Sequence, residues 1–521
     1  MPEANIFPRA HIHFESSMLT FTEFTRAVLA RGTTAVATDL MEIAIVSGMA
    51  GIREIFREAD GLPISLLHTV PAFMSEEGEL QTIGAALYYE MIEELLSGPR
   101  AVGLAEVLYP PVLAGSPQSQ KVIAFADDKL GKTSEGHAPA LLGERLCAYA
   151  SAGIRSDHES TSREEALDKA RKGLRVLMRE GSAAQDLNAC LKIITEDQID
   201  PRNCSMVSDD IDMLHIVEKG HLDYKVRMAV AAGVDPLVAL QMVTINPAQS
   251  LKVDNQYGSI APGKRADIVL LSELSSCAVD SVISGDELVV QGGEAVFAAP
   301  AFAYSAAMVN TVKLQKPITA QDILIRAQGA AKARVHVIGA HGKDLLTDKL
   351  EAELSVENDT IQCDVDNDVL HIACIERYGK NGSIGRSYIK GFGLSRGAMA
   401  TSVGHDHHNI TVLGADAEDM AIAANHIVKL GGGLAIVEGG RVIHEFALPV
   451  CGLLSTMNAQ ESAKVLDAMQ KHLHARGCTM DSPFMTLAFI TLIFIPMFGI
   501  TDRGLVDVLN FKVIDPVISL S

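Results

Sequence analysis

The chain has 521 residues, too many for one ordinary core, so two or three domains are expected, one of them large enough to be an α/β barrel. Lys plus Arg total 44 against 65 for Asp plus Glu, a formal net charge of -21 that argues against a nucleic-acid partner or an anionic membrane surface. A small neutral or cationic substrate remains. The eight cysteines (Cys147, Cys190, Cys204, Cys277, Cys363, Cys374, Cys451, Cys478) are scattered without a Cys-x-x-Cys pair. They read as reduced, mostly buried thiols of a cytoplasmic protein.

No basic region followed by an apolar one opens the chain, so export is not expected. From residue 5 onward short apolar runs alternate with amphipathic stretches. Candidate strands are Ile6 to His13, Thr33 to Thr38, Ile64 to Thr69, Ala101 to Val107, Lys132 to His137, Gly153 to His158, Leu174 to Met178 and Cys204 to Asp209. Helical patterns such as Phe21 to Arg31, Ile83 to Leu96 and Arg163 to Lys172 separate most of them. Eight strands alternating with helices predict a (β/α)8 TIM-like barrel, whose chemistry sits at the C-terminal ends of its strands.

Metal-ligand residue types fall at those ends. In Ala10-His11-Ile12-His13, an inward Ile12 on a strand would turn both imidazoles to the other face, where they can share a metal. Glu106 ends the fourth strand, His137 the fifth, His158 the sixth and Asp209 the eighth. Singly these are a solvated strand end, a loop histidine, a neighbour of a helix cap and a cap. Jointly they predict a two-metal site with Glu106 as the bridging carboxylate and Asp209 as a ligand that also shuttles a proton. Imidazoles with carboxylates suit manganese, iron or zinc.

Beyond the barrel, the helix Tyr224 to Ala232 and the segment Pro236 to Thr244 lead into about fifty residues from 251 that read as short β elements, followed by a candidate linker over 301 to 316. A separate α+β region then runs from Ile318. It has strand-like runs at Val335 to Ile338, Leu370 to Glu376, Asn409 to Leu413 and Leu434 to Val437, and helical patterns over Ala417 to Leu430 and Gln460 to Arg476. Its His405-Asp406-His407-His408-Asn409 string reads as a polar strand-entry cluster, with a second metal site or a loop closing over the barrel as alternatives. Gly431-Gly432-Gly433 reads as a helix stop. Phe484 to Ile500 is shorter than the ~20 apolar residues of a membrane span and holds Pro496 and Gly499, so a buried strand-and-loop segment is expected.

With these residues the chain resembles the adenine deaminase family of the amidohydrolase superfamily over nearly its whole length. The strings that carry the resemblance in the barrel are AHIHFESSMLT at 10–20, GLAEV at 103–107, GHAPALLG at 136–143, AGIRSDHEST at 152–161, MREGSAAQDL at 178–187 and SDD at 208–210. APGKRADIVLL at 261–271, FGLSRGAMATSVGHDHHNI at 392–410 and TDRGLVDV at 501–508 extend it. The last two separate this family from other amidohydrolases. The resemblance implies an amidohydrolase barrel over 1–250, a partial small β-sandwich segment over 251–300 and a C-terminal α+β domain over 317–521.

It also implies hydrolysis of adenine to hypoxanthine and ammonia, a step of purine salvage. Two divalent ions, manganese or iron first and zinc as the alternative, would be held by His11, His13, Glu106, His137, His158 and Asp209. Asp209 would take the proton of the attacking water and help deliver one to the departing nitrogen. Glu159 is a candidate for protonating or holding the ring, against a reading as a solvated carboxylate at a helix start. No substrate-binding residue is assigned.

Three departures from the family pattern bear on this. Asp39-Leu40-Met41-Glu42 stands where Asp-Pro-His-Glu is usual, which replaces an imidazole by a thioether that transfers no proton. Arg9 stands in place of an Asp, and Ile211-Asp212-Met213 in place of Arg-His-Pro. The family has an N-terminal β segment before the barrel, so residues 251 to 300 are expected to lack partner strands and leave open edges. Another amidohydrolase acting on a cyclic amide or amidine, and a non-catalytic homologue, stay open as readings. The single-zinc nucleobase deaminases are excluded: His13-Phe14-Glu15 spells their His-x-Glu, but no Pro-Cys-x-x-Cys follows. Symmetric homo-oligomers are the default for a cytoplasmic enzyme of this size.

Overall fold

The computed structural model describes residues 4–5, 7–72, 78–342, 345–494 and 497–521, with side chains from residue 11 onward. The predicted start of the first strand at Ile6, and Pro496, lie outside the described residues. Two compact units form. The first comprises residues 1–41, 52–74 and 87–302; the second comprises 42–51, 75–86 and 303–521.

The first unit opens with β1 (Ala4–Asn5) and then builds a parallel sheet. Its strands are β2 (Phe7–His13), β3 (Thr33–Thr38), β4 (Ser65–Pro71), β5 (Ala101–Leu108), β6 (Thr133–His137), β7 (Ser156–Asp157), β8 (Arg175–Arg179), β9 (Cys204–Val207) and β10 (Asp209–Asp210). Every neighbouring pair is parallel. The expected eighth strand is divided at Ser208: β9 pairs with β8, and β10 pairs with β2. One residue separates these two pieces, so the ends of the sheet meet and the barrel is nearly closed. β3 and β5 are buried along their whole length, as parallel strands covered on both faces must be. Ala35, Ala37, Leu67 and Val102 pack on Ala248 and Leu251, of and just after the helix Ile245–Ser250.

A five-stranded antiparallel sheet completes this unit, from β11 (Ile268–Glu273), β12 (Ala278–Ser284), β13 (Glu287–Gln291) and β14 (Glu294–Ala295) together with β1. The open edge expected on this segment is partly covered. Ala4 and Asn5 pair with Leu270 and Val269, so β11 lies between two strands.

In the second unit a mixed ten-stranded sheet carries the helix Ala417–Leu430 on one face, with Met420, Ala424 and Ile427 packed on Ala373, Ala400 and Val412. Gly431 caps that helix at φ 74, the left-handed turn a helix stop requires. The expected strand-and-loop segment differs at its start. Pro483–Phe489 is a helix, entered through Pro483 at its first turn, where a missing N–H leaves nothing unsatisfied; only Phe498–Thr501 is a strand. Among the described residues no helix is long and apolar enough to cross a membrane. All eight cysteines are free thiols; six are buried, Cys363 is half-buried and Cys147 is exposed.

Candidate metal centre

His11 and His13 close β2 on either side of Ile12, which is fully buried. Strand alternation therefore turns both imidazoles the same way. His137 is the last residue of β6, and His158 follows β7 directly. Glu106 lies in β5 where the register against β6 shifts between Leu104 and Val107, and its φ is 53°. A bulge of this kind re-aims one side chain without breaking the strand. Asp209 begins β10 at φ 57° and pairs with Ile12. A left-handed backbone at a non-glycine residue costs about 1 kcal/mol and persists where the surroundings impose it, often at functional sites.

All six predicted ligands come together, and all are buried. Glu106 Oε1 lies 3.3 Å from His11 Nε2, 3.6 Å from His13 Nε2 and 3.3 Å from His158 Nε2, while Glu106 Oε2 is 2.7 Å from His137 Nδ1. Asp209 Oδ1 stands 3.3 Å from both His11 Nε2 and His13 Nε2. Glu106 belongs to two donor sets, one with His11 and His13 and one with His137 and His158. Donors bound about 2.0–2.1 Å from a tetrahedral ion stand about 3.3 Å apart, and hydrogen-bonded charged pairs sit nearer about 2.8 Å. Most of the spacings here match the first value, so the residues fit a pair of divalent cations.

A neighbouring carboxylate orients one of these rings: Asp39 Oδ1 accepts from His13 Nδ1 at 3.1 Å, the usual outer support of a ligating imidazole, while Glu135 Oε2 lies 4.0 Å from His11 Nδ1, beyond hydrogen-bond reach. Burial alone would lower His11, but hydrogen bonds to Asp209 and Glu106 outweigh it and raise it to about 10. His137 is likewise raised, to about 9, because Glu106 and Glu159 outweigh burial. Burial would raise Glu106, yet His158 and His137 hold it well below the usual carboxylate range. Cation binding at such donors displaces protons.

Glu159 is not the solvated helix-start carboxylate of the bland reading; it is 4% exposed. Arg179 explains how it is tolerated. This guanidinium, at the end of β8 and 1% exposed, donates from one terminal nitrogen to Glu159 Oε1 at 2.8 Å and to Asp209 Oδ2 at 3.1 Å. Its Nε and other terminal nitrogen reach Asp186 Oδ2 at 3.2 and 2.9 Å. Sequence reasoning assigned Arg179 no role, although it lies within the MREGSAAQDL string. A charged residue closing an apolar strand was the available signal. Lys169 plays a similar part nearby: its ammonium binds Asp157 at 2.6 Å and Glu165 at 2.7 Å, while Asp157 accepts from the backbone of Ala138 and Glu159. The segment carrying His158 and Glu159 is thereby fixed.

Residues 10–296 match the amidohydrolase family, and residues 344–512 match the adenine deaminase C-terminal domain. The chain is 37% identical over 528 residues to adenine deaminase 1 of Carboxydothermus hydrogenoformans, covering 98% of this chain and 86% of the relative. It is 38% identical over 513 residues to the adenine deaminase of Moorella thermoacetica, with the same two coverages. To the adenine deaminase of Methanococcoides burtonii it is 39% identical over 510 residues, covering 97% of this chain and 85% of the relative. On a nearly closed barrel with six converging donors, followed by the matching C-terminal domain, the chain belongs to the adenine deaminase family of amidohydrolases.

Proposed function

We propose that the protein hydrolyses adenine to hypoxanthine and ammonia at the barrel centre. The observation that carries this is the joint presence of six converging metal donors and the Glu159–Arg179–Asp209 chain beside them. His11, His13, Glu106, His137, His158 and Asp209 would hold two divalent ions, with Glu106 as the carboxylate common to both. The donor set suits manganese or iron, with zinc as the alternative. Two such ions, when bound, supply the Lewis acidity that makes water nucleophilic near neutral pH.

Deamination breaks the carbon–nitrogen bond to the exocyclic amine and forms a carbon–oxygen bond, so both protons of the water must move, one to the departing amine and one to the ring nitrogen beside the attacked carbon. Asp209 accepts the first and returns it to the departing nitrogen. Burial would raise Asp209, but hydrogen bonds with His11 and His13 outweigh it and hold the carboxylate well below the usual range, so it stands ionised with its oxygens open to a proton. Glu159, tied to Arg179 through Oε1, acts as an acceptor that holds a ring N–H. Of the two roles expected for it, holding the ring is the one this pairing supports.

The test is ammonia release by the purified chain supplied with Mn(II), Fe(II) or Zn(II), assayed against adenine and a panel of cyclic ureas and amides. Adenine is expected to be the substrate turned over. Inert adenine beside an active hydantoin overturns the proposal.

A further inference from the structure

The His405–His408 string keeps a feature that adenine hydrolysis does not use. The loop that carries it joins the strands Ala398–Thr401 and Ile410–Gly414 of the second unit. It buries His405, His407 and His408 at 3%, 0% and 0% exposure. The string enters the strand Ile410–Gly414 as expected, and does so as a buried cluster.

The three rings are used differently. His407 is turned into the protein. Its Nδ1 accepts from the Asn409 N–H at 3.0 Å, its Nε2 faces the Cys374 sulfur at 3.9 Å, and burial lowers its pKa to about 4. His405 and His408 converge instead, with ring centroids 5.7 Å apart, on a carboxylate from a remote part of the chain. That carboxylate is Glu42, near the start of the helix Met41–Ala59 and 1% exposed; residues 42–51 pack within this same unit. One donor atom from each of Glu42, His405 and His408 lies within 4.8 Å of the other two.

The support around the rings is specific. His405 stacks on Phe489 at 4.8 Å, its backbone N–H donates to Ala488 O, and its carbonyl accepts from Thr491 Oγ1 at 2.8 Å. The Gly404 N–H contacts His408 Nδ1 at 3.2 Å. His408 itself is held at φ 50°, the left-handed conformation a non-glycine residue keeps only where its surroundings require it. His405 Nδ1 stands 3.4 Å from Glu42 Oε1. That is longer than a charge-assisted hydrogen bond of about 2.8 Å and close to the roughly 3.3 Å between two ligands of one tetrahedral ion.

We propose that Glu42, His405 and His408 bind one further divalent cation, separate from the barrel donor set. Two imidazoles and one carboxylate are the donors of mononuclear zinc sites and of the facial triad that holds ferrous iron, so the ligand class is a borderline divalent cation. Its structural effect is to tie the start of the 42–51 segment to the 404–409 loop.

The test counts zinc per chain in the zinc-loaded full-length protein and in Glu42→Gln and His408→Gln, each checked as folded by circular dichroism. Each substitution is expected to lower the count by one ion per chain, and an unchanged count in either folded variant overturns the proposal. His11→Ala, counted in parallel, reports on the barrel donors alone, so failure of the barrel reading is told apart from failure of this one. A readout without substitution is the 113Cd spectrum of the cadmium-loaded full chain. A resonance from a two-nitrogen, one-carboxylate site that survives His11→Ala is expected, and its absence contradicts the assignment.

Discussion

Replacing Arg179 by Met keeps the length and the apolar stem but removes the charge that three buried or nearly buried carboxylates share. Glu159, Asp209 and Asp186 together accept four hydrogen bonds from this one guanidinium. Breaking a buried ion pair by deleting one partner costs about 3–5 kcal/mol, because the remaining charge stays desolvated. At about 2–4 °C per kcal/mol for a unit of this size, a loss near 4 kcal/mol lowers the midpoint of thermal unfolding by about 8–16 °C. Activity should fall further than stability explains. Without the fork, Glu159 and Asp209 repel one another and shift, and displacement by about 1 Å of a reacting group costs about 100-fold in rate. The assay is kcat on adenine with differential scanning calorimetry on the same preparation. Arg179→Lys, which restores charge without the fork, should recover part of the midpoint and little of kcat. A folded Arg179→Met with unaltered midpoint and kcat would refute the reasoning.

Glu159→Gln should leave the fold intact and raise KM for adenine by about 10-fold, because a charged acceptor of the ring N–H becomes a neutral one; an unaltered KM and turnover remove the role. Lys169→Met should destabilise by about 3–5 kcal/mol, read from the urea midpoint, because Asp157 and Glu165 lose a fully buried partner. Burial lowers His68 and His371 from 6.5 to about 4. The unfolded chain therefore binds more protons between those values, and stability falls as pH drops from about 6.5 toward 4. The full effect is about 3 kcal/mol for each ring, at about 1.4 kcal/mol per pH unit. His68→Gln, which keeps a donor for Thr38 O, should flatten that slope in urea titrations; an unchanged slope argues against a buried neutral His68.

The barrel strands were legible because each is a short apolar run closed by a polar residue, and burial on both faces of a parallel sheet imposes that pattern on the sequence itself. His13, His137 and His158 were legible for the same reason, since they stand at or just after the ends of those runs. What periodicity does not encode is backbone conformation at single residues and pairing between remote segments. The bulge that re-aims Glu106 and the break at Ser208 that sends Asp209 to β2 depend on neighbouring strands. Arg179 was hidden because its value lies in meeting Glu159 and Asp209, which are 20 and 30 residues away. Glu42 and His405 meet only in the folded chain. The helix Pro483–Phe489 was misread as extended because an apolar run that is buried throughout shows no period, which leaves proline as the better guide.

Ammonia released from adenine by the metal-loaded protein, measured beside folded Asp209→Asn, tests the central claim most directly. Ammonia equal to the hypoxanthine formed is expected, with a loss of about 1000-fold in the variant, within the usual range for a general acid–base group. Adenine left intact by the metal-loaded protein, or Asp209→Asn retaining its rate, would contradict it.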